Sequence, residues 1–197
     1  MERNKNGLVI ATIALAIVSI VSIGLAYAAF NRDLTIVPQA TYNPNAWKVN
    51  FKAGTLTSTK SAGATIDGTP SLGLTSLTNI AVTFTEENDF VEYKFKVENT
   101  GESDAIIDAL NLSSKSCVGE ATSPIDKSAD ELGVCSGFNY TLKYVTTNTA
   151  VAVGDTLDSG TEKELILRLE YTGTFVPTDD VVVSIPGGIV VSYISTP

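Results

Sequence analysis

An unbroken alternation of apolar and charged residues restricts this chain more than any other feature. In residues 90–99 (FVEYKFKVEN), Val91, Tyr93, Phe95 and Val97 fall on one side of an extended backbone, and Glu92, Lys94, Lys96 and Glu98 on the other. A helix repeats its apolar stripe every three to four residues, so a strict period of two predicts a β-strand with one buried and one wet face. Residues 163–172 repeat the pattern, with Leu165, Leu167, Leu169 and Tyr171 inward and Glu164, Ile166, Arg168 and Glu170 mostly outward. Trp47, Val49 and Phe51, then Ile80, Val82 and Phe84, then Tyr140, Leu142 and Tyr144 supply further half-buried strands. These apolar positions form the expected core.

The punctuation between the runs is that of a β-protein. Thr100-Gly101-Glu102-Ser103-Asp104 reads as a tight turn, and AIIDALNL at 105–112, whose apolar positions also fit a short helix, is read as the strand that follows. Residues 179–195 hold two β-rich runs, VVVSI and IVVSYIS, broken by a turn or bulge at Pro186-Gly187-Gly188. Residues 52–78 are rich in Ser, Thr, Gly and Ala, which suits short edge strands and loops. A helical turn is expected only at 124–132 (PIDKSADEL). Roughly eight to ten strands with such turns point to an all-β, jelly-roll-like antiparallel β-sandwich in a single domain, 29–197.

Ahead of it, Arg3 and Lys5 precede an uncharged run at 7–30 (GLVIATIALAIVSIVSIGLAYAAF). A basic start, an apolar stretch and the triplet Ala26-Tyr27-Ala28 fit a signal peptide over 1–28, cut between Ala28 and Ala29. The same run is long enough to be retained as a membrane-anchor helix. A pilin-like leader cut after Gly7 fits less well, because Thr12 stands where such leaders carry Glu, and Pro38 and Pro44 oppose a continuous helix. Any membrane contact is expected through this segment alone.

Composition closes several routes to function. There is no histidine, so Ser/His/Asp and Cys/His nucleophile systems and His-based zinc helices are excluded. The net charge of −9 without a basic cluster argues against nucleic acid, whose affinity comes from Lys and Arg on phosphates. No phosphate-binding glycine loop or G-x-S-x-G elbow is present. Glu86, Glu87 and Asp89, and Asp155, Asp158, Asp179 and Asp180, invite a calcium or glycosidase reading, but lack EF-hand spacing and read as solvated loop acids. The chain is therefore expected to be non-enzymatic and without cofactor or metal. Asn111-Leu-Ser and Asn139-Tyr-Thr are formal glycosylation sequons.

Cys117 and Cys135 are the only cysteines, flanking a loop-like stretch with Gly119, Pro124 and Gly133. In an exported chain such a pair is expected to form a disulfide. Residues 29–37 (AFNRDLTIV) form a β-competent segment that, after cleavage, has a free end and no hairpin partner. It serves either as the domain's own edge strand or as a strand added to another copy's sheet, with Phe30, Leu34 and Ile36 filling alternate pockets.

Three stretches resemble the TasA/camelysin family of secreted bacterial surface and biofilm-matrix proteins. They are the junction Ala26-Tyr-Ala-Ala-Phe-Asn31, the run from Glu87 through Glu98-Asn-Thr-Gly101 into Ala105-Ile-Ile-Asp-Ala-Leu-Asn111, and the β-rich C-terminal run. The resemblance implies an exported jelly-roll subunit that assembles into extracellular fibres by donor-strand complementation, with 29–37 as donor. It also brings a metallopeptidase classification, which the histidine-free sequence does not support. The expected function is thus a secreted, self-assembling fibre or matrix subunit of the cell surface. The rival is a monomeric, membrane-anchored binding module that recognises a glycan or protein through loops such as 58–70 or 117–135.

Overall fold

The computed structural model describes residues 48–195. The expected leader 1–28, the junction Ala28/Ala29, the donor-type segment 29–37 with Phe30, Leu34 and Ile36, and Trp47 lie outside the described residues. Among the described residues, fourteen strands and one helix follow in chain order: β1 (Val49–Phe51), β2 (Thr57–Lys60), β3 (Ala64–Ile66), β4 (Ser71–Leu72), β5 (Ser76–Thr78), β6 (Ile80–Phe84), β7 (Phe90–Asn99), β8 (Ala105–Leu112), β9 (Ser116–Gly119), α1 (Pro124–Gly137), β10 (Phe138–Tyr144), β11 (Thr156–Leu157), β12 (Glu162–Tyr171), β13 (Val181–Ile185) and β14 (Ile189–Ser195). Every ladder between them is antiparallel, and the all-β class expected from the alternation holds.

The first layer is built on the two strands with the cleanest alternation. β7 and β12 run side by side from Glu162↔Glu98 to Glu170↔Phe90, and β10 lies along the far side of β12. Both β1 and β2 lie on the other side of β7, β1 against its C-terminal end and β2 against its N-terminal half. Between them, Thr55 Oγ1 accepts a hydrogen bond from Lys96 N at 3.1 Å, so a side chain replaces the missing rung. On the wet face, Arg168 pairs with Glu92, directly opposite, and with Glu170, both at 2.7 Å, and its guanidinium lies 4.2 Å from the centroid of the Phe90 ring. Lys52 and Lys96 converge on Glu162 at 2.8 and 2.7 Å. Pairs this close to solvent add little stability, and their main effect is to favour this register.

The second layer consists of two ladders, β3-β6-β13-β9 and β4-β5-β14-β8 with β11 at the outer edge of β8. Their strand lines follow one another across the gap with a shift of one residue: Ile185 faces Ile80, and beyond Pro186-Gly187-Gly188 the pairing resumes with Ile189 facing Leu77. The two ladders meet at a crease. At that crease Asn79 has φ 58° and Gly188 φ 64°. A Cβ on Gly188 would strike the Leu77 carbonyl oxygen, so only glycine fits there. Ser113 N donates to Gly188 O across the same line at 3.2 Å.

The apolar faces of both layers share one core, which includes Phe51, Val82, Tyr93, Phe95, Ile107, Leu142, Leu165, Leu167, Leu169, Val183 and Val191. Phe84 of β6 stacks on Phe138 of β10 across the layers, with ring centroids 5.9 Å apart. Tyr140 and Tyr144, expected in the core, pack against its margin and stay partly buried. Each carries a hydroxyl, and that of Tyr140 reaches the margin to donate to Ser113 O at 2.8 Å.

Two expectations change. The stretch between the cysteines is largely helical and not loop-like, and its helix runs to Gly137, past the expected end at 132. Gly133 does not terminate it, because the Phe175 ring occupies the space where a Cβ would stand, so this glycine serves close packing. Residues 58–70, offered as a recognition loop, hold most of β2 and all of β3, because β7 and β6 supply ladder partners to even this Ser/Thr-rich segment.

Candidate functional site

Edges decide what a sheet protein can do with another chain, because unpaired backbone N–H and C=O groups there can accept a further strand. Three edges are covered. β10 is folded over by its own following loop, with Tyr144 N donating to Thr149 O at 3.0 Å and Val151 N to Leu142 O at 3.0 Å. The start of β8 is covered by β11. β9 is covered by α1, whose Glu131 Oε1 accepts from Gly119 N at 3.0 Å, where a neighbouring strand would otherwise bond.

The cover over β9 is fastened in two ways. Cys117 of β9 and Cys135 of α1 form a disulfide with Cα atoms 5.9 Å apart. Asp130, 1% exposed, accepts from Thr178 N at 3.0 Å, Thr178 Oγ1 at 2.7 Å and Asp179 N at 3.3 Å. The Thr178 bonds hold its carboxyl below the usual aspartate range, against the opposing effect of burial. Pro124 at the first helical position and Asp126 in the first turn suit the N-terminus.

The edge at β2 is different. Its four side chains are all exposed, and among the described residues its backbone bonds only to β7. Beside it a crevice of about 170 Å³ is lined by Leu56, Thr57, Ser58, Pro70 and Tyr93. Tyr93 lies fully buried on the inner face of β7, and among the described residues its hydroxyl has no hydrogen-bond partner. Burial, with the charge of Asp67 adding to it, pushes this phenol up to about 12, so it is a neutral O–H donor lacking an acceptor. A buried donor left unpaired costs about 1–3 kcal/mol. The alternation located Tyr93 in the core, but no sequence signal marks a hydroxyl that lacks an acceptor.

The acids singled out in the sequence act locally. Asp89 is 5% exposed; burial pushes its carboxyl up, but bonds from Ser61 Oγ at 2.6 Å, Glu86 N at 2.9 Å and Thr85 N at 3.2 Å outweigh this and leave it below the usual range. Asp155 accepts from Ala152 N at 2.8 Å and Asp179 from Asp180 N at 3.0 Å. Among the described residues no three Asp, Glu or Cys side chains converge as a metal site. Asn111 is exposed on β8, and Asn139 is exposed on β10 with its amide donating to Thr172 Oγ1 at 2.9 Å.

Comparison of the chain with protein-family models, with curated proteins and with solved structures found no match.

Proposed function

We propose that this chain is an exported structural subunit of the cell surface that assembles with copies of itself by strand addition, its two layers acting as a jelly-roll-like acceptor. The observation that carries this reading is the β2 edge, open among the described residues and placed beside the unpaired Tyr93 hydroxyl. An added strand supplies both missing parts, a ladder for the β2 backbone and a carbonyl oxygen for the phenol. Residues 29–37 are the donor, with Phe30, Leu34 and Ile36 on the face that enters the neighbour. The disulfide agrees with an oxidising environment, where such bonds persist, and supports secretion.

The test is intact-mass analysis and negative-stain microscopy of natively exported protein, together with a variant lacking 29–37 and with Tyr93→Phe. Fibres from wild type with an Ala29 start, none from the deletion, and weakened assembly of Tyr93→Phe at unchanged or slightly raised monomer stability are expected. Monomers that retain the leader would discard the reading in favour of a membrane-anchored module. Assembly of Tyr93→Phe at the wild-type critical concentration would remove the phenol from the acceptor site.

A further inference from the structure

A second concave site lies at the β10 edge of the first layer. It is a crevice of about 400 Å³, walled by the turn that follows β10, by β11 of the second layer and by the start of β12. That volume falls within the roughly 300–1,000 Å³ of small-molecule sites. Its walls are fixed by the fold. Asn148, with φ 55°, tightens the turn, and its N–H donates to Tyr144 O at 2.9 Å. Asp155 is held twice: its carbonyl accepts from Ile107 N at 2.9 Å, and its Oδ2 accepts from Ala152 N at 2.8 Å. Val145 N donates to Glu164 O at 2.9 Å and joins the turn to β12. Lys163 Nζ donates to Thr156 O and stands 5.2 Å from the centroid of the Tyr144 ring.

The crevice holds more polar groups than the fold uses. Among the described residues, the Glu164 carboxylate and the hydroxyls of Thr146 and Thr156 have no hydrogen-bond partner. The hydroxyl of Tyr193, a residue 8% exposed, also lacks one among the described residues. Burial, with the charge of Asp155 adding to it, pushes the Tyr193 phenol up, and burial followed by the Asp155 carboxylate alongside does the same to Tyr144. Both phenols are therefore neutral O–H donors near one carboxylate.

We propose that this crevice binds a neutral pyranose. The lining selects that class by charge and by hydrogen bonding. Asp155 and Glu164 repel an anion, and the Lys163 ammonium opposes a metal ion or an organic cation. No Val, Leu, Ile or Phe among the described residues lines the crevice, so an apolar molecule gains little by entering. A neutral polyhydroxylated ring satisfies every wall, because each of its hydroxyls can donate to a carboxylate while accepting from the ammonium or a threonine. The crevice borders β10, across the β7–β12 pair from β2, so a strand added at β2 leaves it open. The site does not depend on the fibre reading.

The test is saturation-transfer NMR on natively exported full chain, with the methyl glycosides of glucose, galactose, mannose and N-acetylglucosamine as neutral probes and glucosamine and glucuronate as charged ones. Transfer to at least one neutral glycoside is expected, stronger than to either charged sugar. Glu164→Gln, whose carboxylate the fold does not use, should weaken that binding about tenfold at an unchanged urea midpoint. Thr147→Val, exposed in the turn, should weaken it as well, and Glu102→Gln, exposed elsewhere, should not. Absence of transfer to every neutral probe from folded wild-type protein overturns the proposal. Transfer that is the same in Glu164→Gln and Thr147→Val as in wild type places the sugar elsewhere and also overturns it. Preference for glucosamine or glucuronate would show that charge, not hydroxyl pairing, governs the crevice, and the neutral class would be wrong. Specific transfer from protein that forms no fibres supports the site and removes the fibre reading alone.

Discussion

Asp89 and Asp130 are acids that the sequence presents as ordinary loop or helix residues, yet each gathers three hydrogen bonds from segments that would otherwise drift apart. Both carboxyls lie lower in the folded chain than their unfolded value near 4. A lowered carboxyl contributes stability that is fully present above the unfolded value and is lost as pH falls through the folded one. Thermal unfolding followed by circular dichroism should therefore show a midpoint that is flat near neutrality and declines below about pH 4. Asp130→Asn should lower the neutral midpoint and flatten that acid limb; an unchanged slope would show that other groups set it. Neither role was legible in the sequence, since an aspartate that ties a helix to residues 178–179 looks like one that faces water until the chain is folded.

The elements were legible where alternation is unbroken and obscured where a single residue breaks it. β7 and β12 follow their sequence pattern from end to end. β8 reads ambiguously because its pairing with β14 slips at Asp108: Ser192 faces Ala109 but Tyr193 faces Ile107. Ala105 and Ile107 are buried before the slip, Leu110 and Leu112 turn inward after it, and the odd-to-even switch imitates a helical spacing. α1 was underestimated because Gly119, Pro124 and Gly133 make the stretch between the cysteines read as loop-like, whereas Gly133 lies within the helix and accommodates the Phe175 ring. The helix is fastened over the β9 edge by a bond spanning 18 positions, and loss of that bond through Cys117→Ser with Cys135→Ser should destabilise the chain by about 3 kcal/mol. The urea midpoint measures this, and a shift near zero would mean that Asp130 alone secures the helix.

At the scale of the whole molecule, the class was legible and the strand order was not. Period two reveals that a segment has an inner face, but not which segment lies beside it; here β7 lies between β1 and β12, far apart in sequence. The crease was half visible, as Pro186-Gly187-Gly188, but its counterparts at Asn79 and Ser113 carry no comparable mark. Gly188→Ala tests how much the second layer depends on it. The φ of 64° and the clash with Leu77 O should cost roughly 2 kcal/mol or more, read as a lower urea midpoint, whereas a neutral result would show that the crease can relax.

That crease also gives the two layers different mechanical characters. In the first layer the ladder between β7 and β12 is uninterrupted, so a pull along the strands loads its rungs together and the plate resists shear as a unit. The second layer is jointed, since its central strand line breaks at 186–188 and its neighbours change course beside it. Tension passed through such a domain would be carried by the stiff plate, while bending would be taken up at the joint.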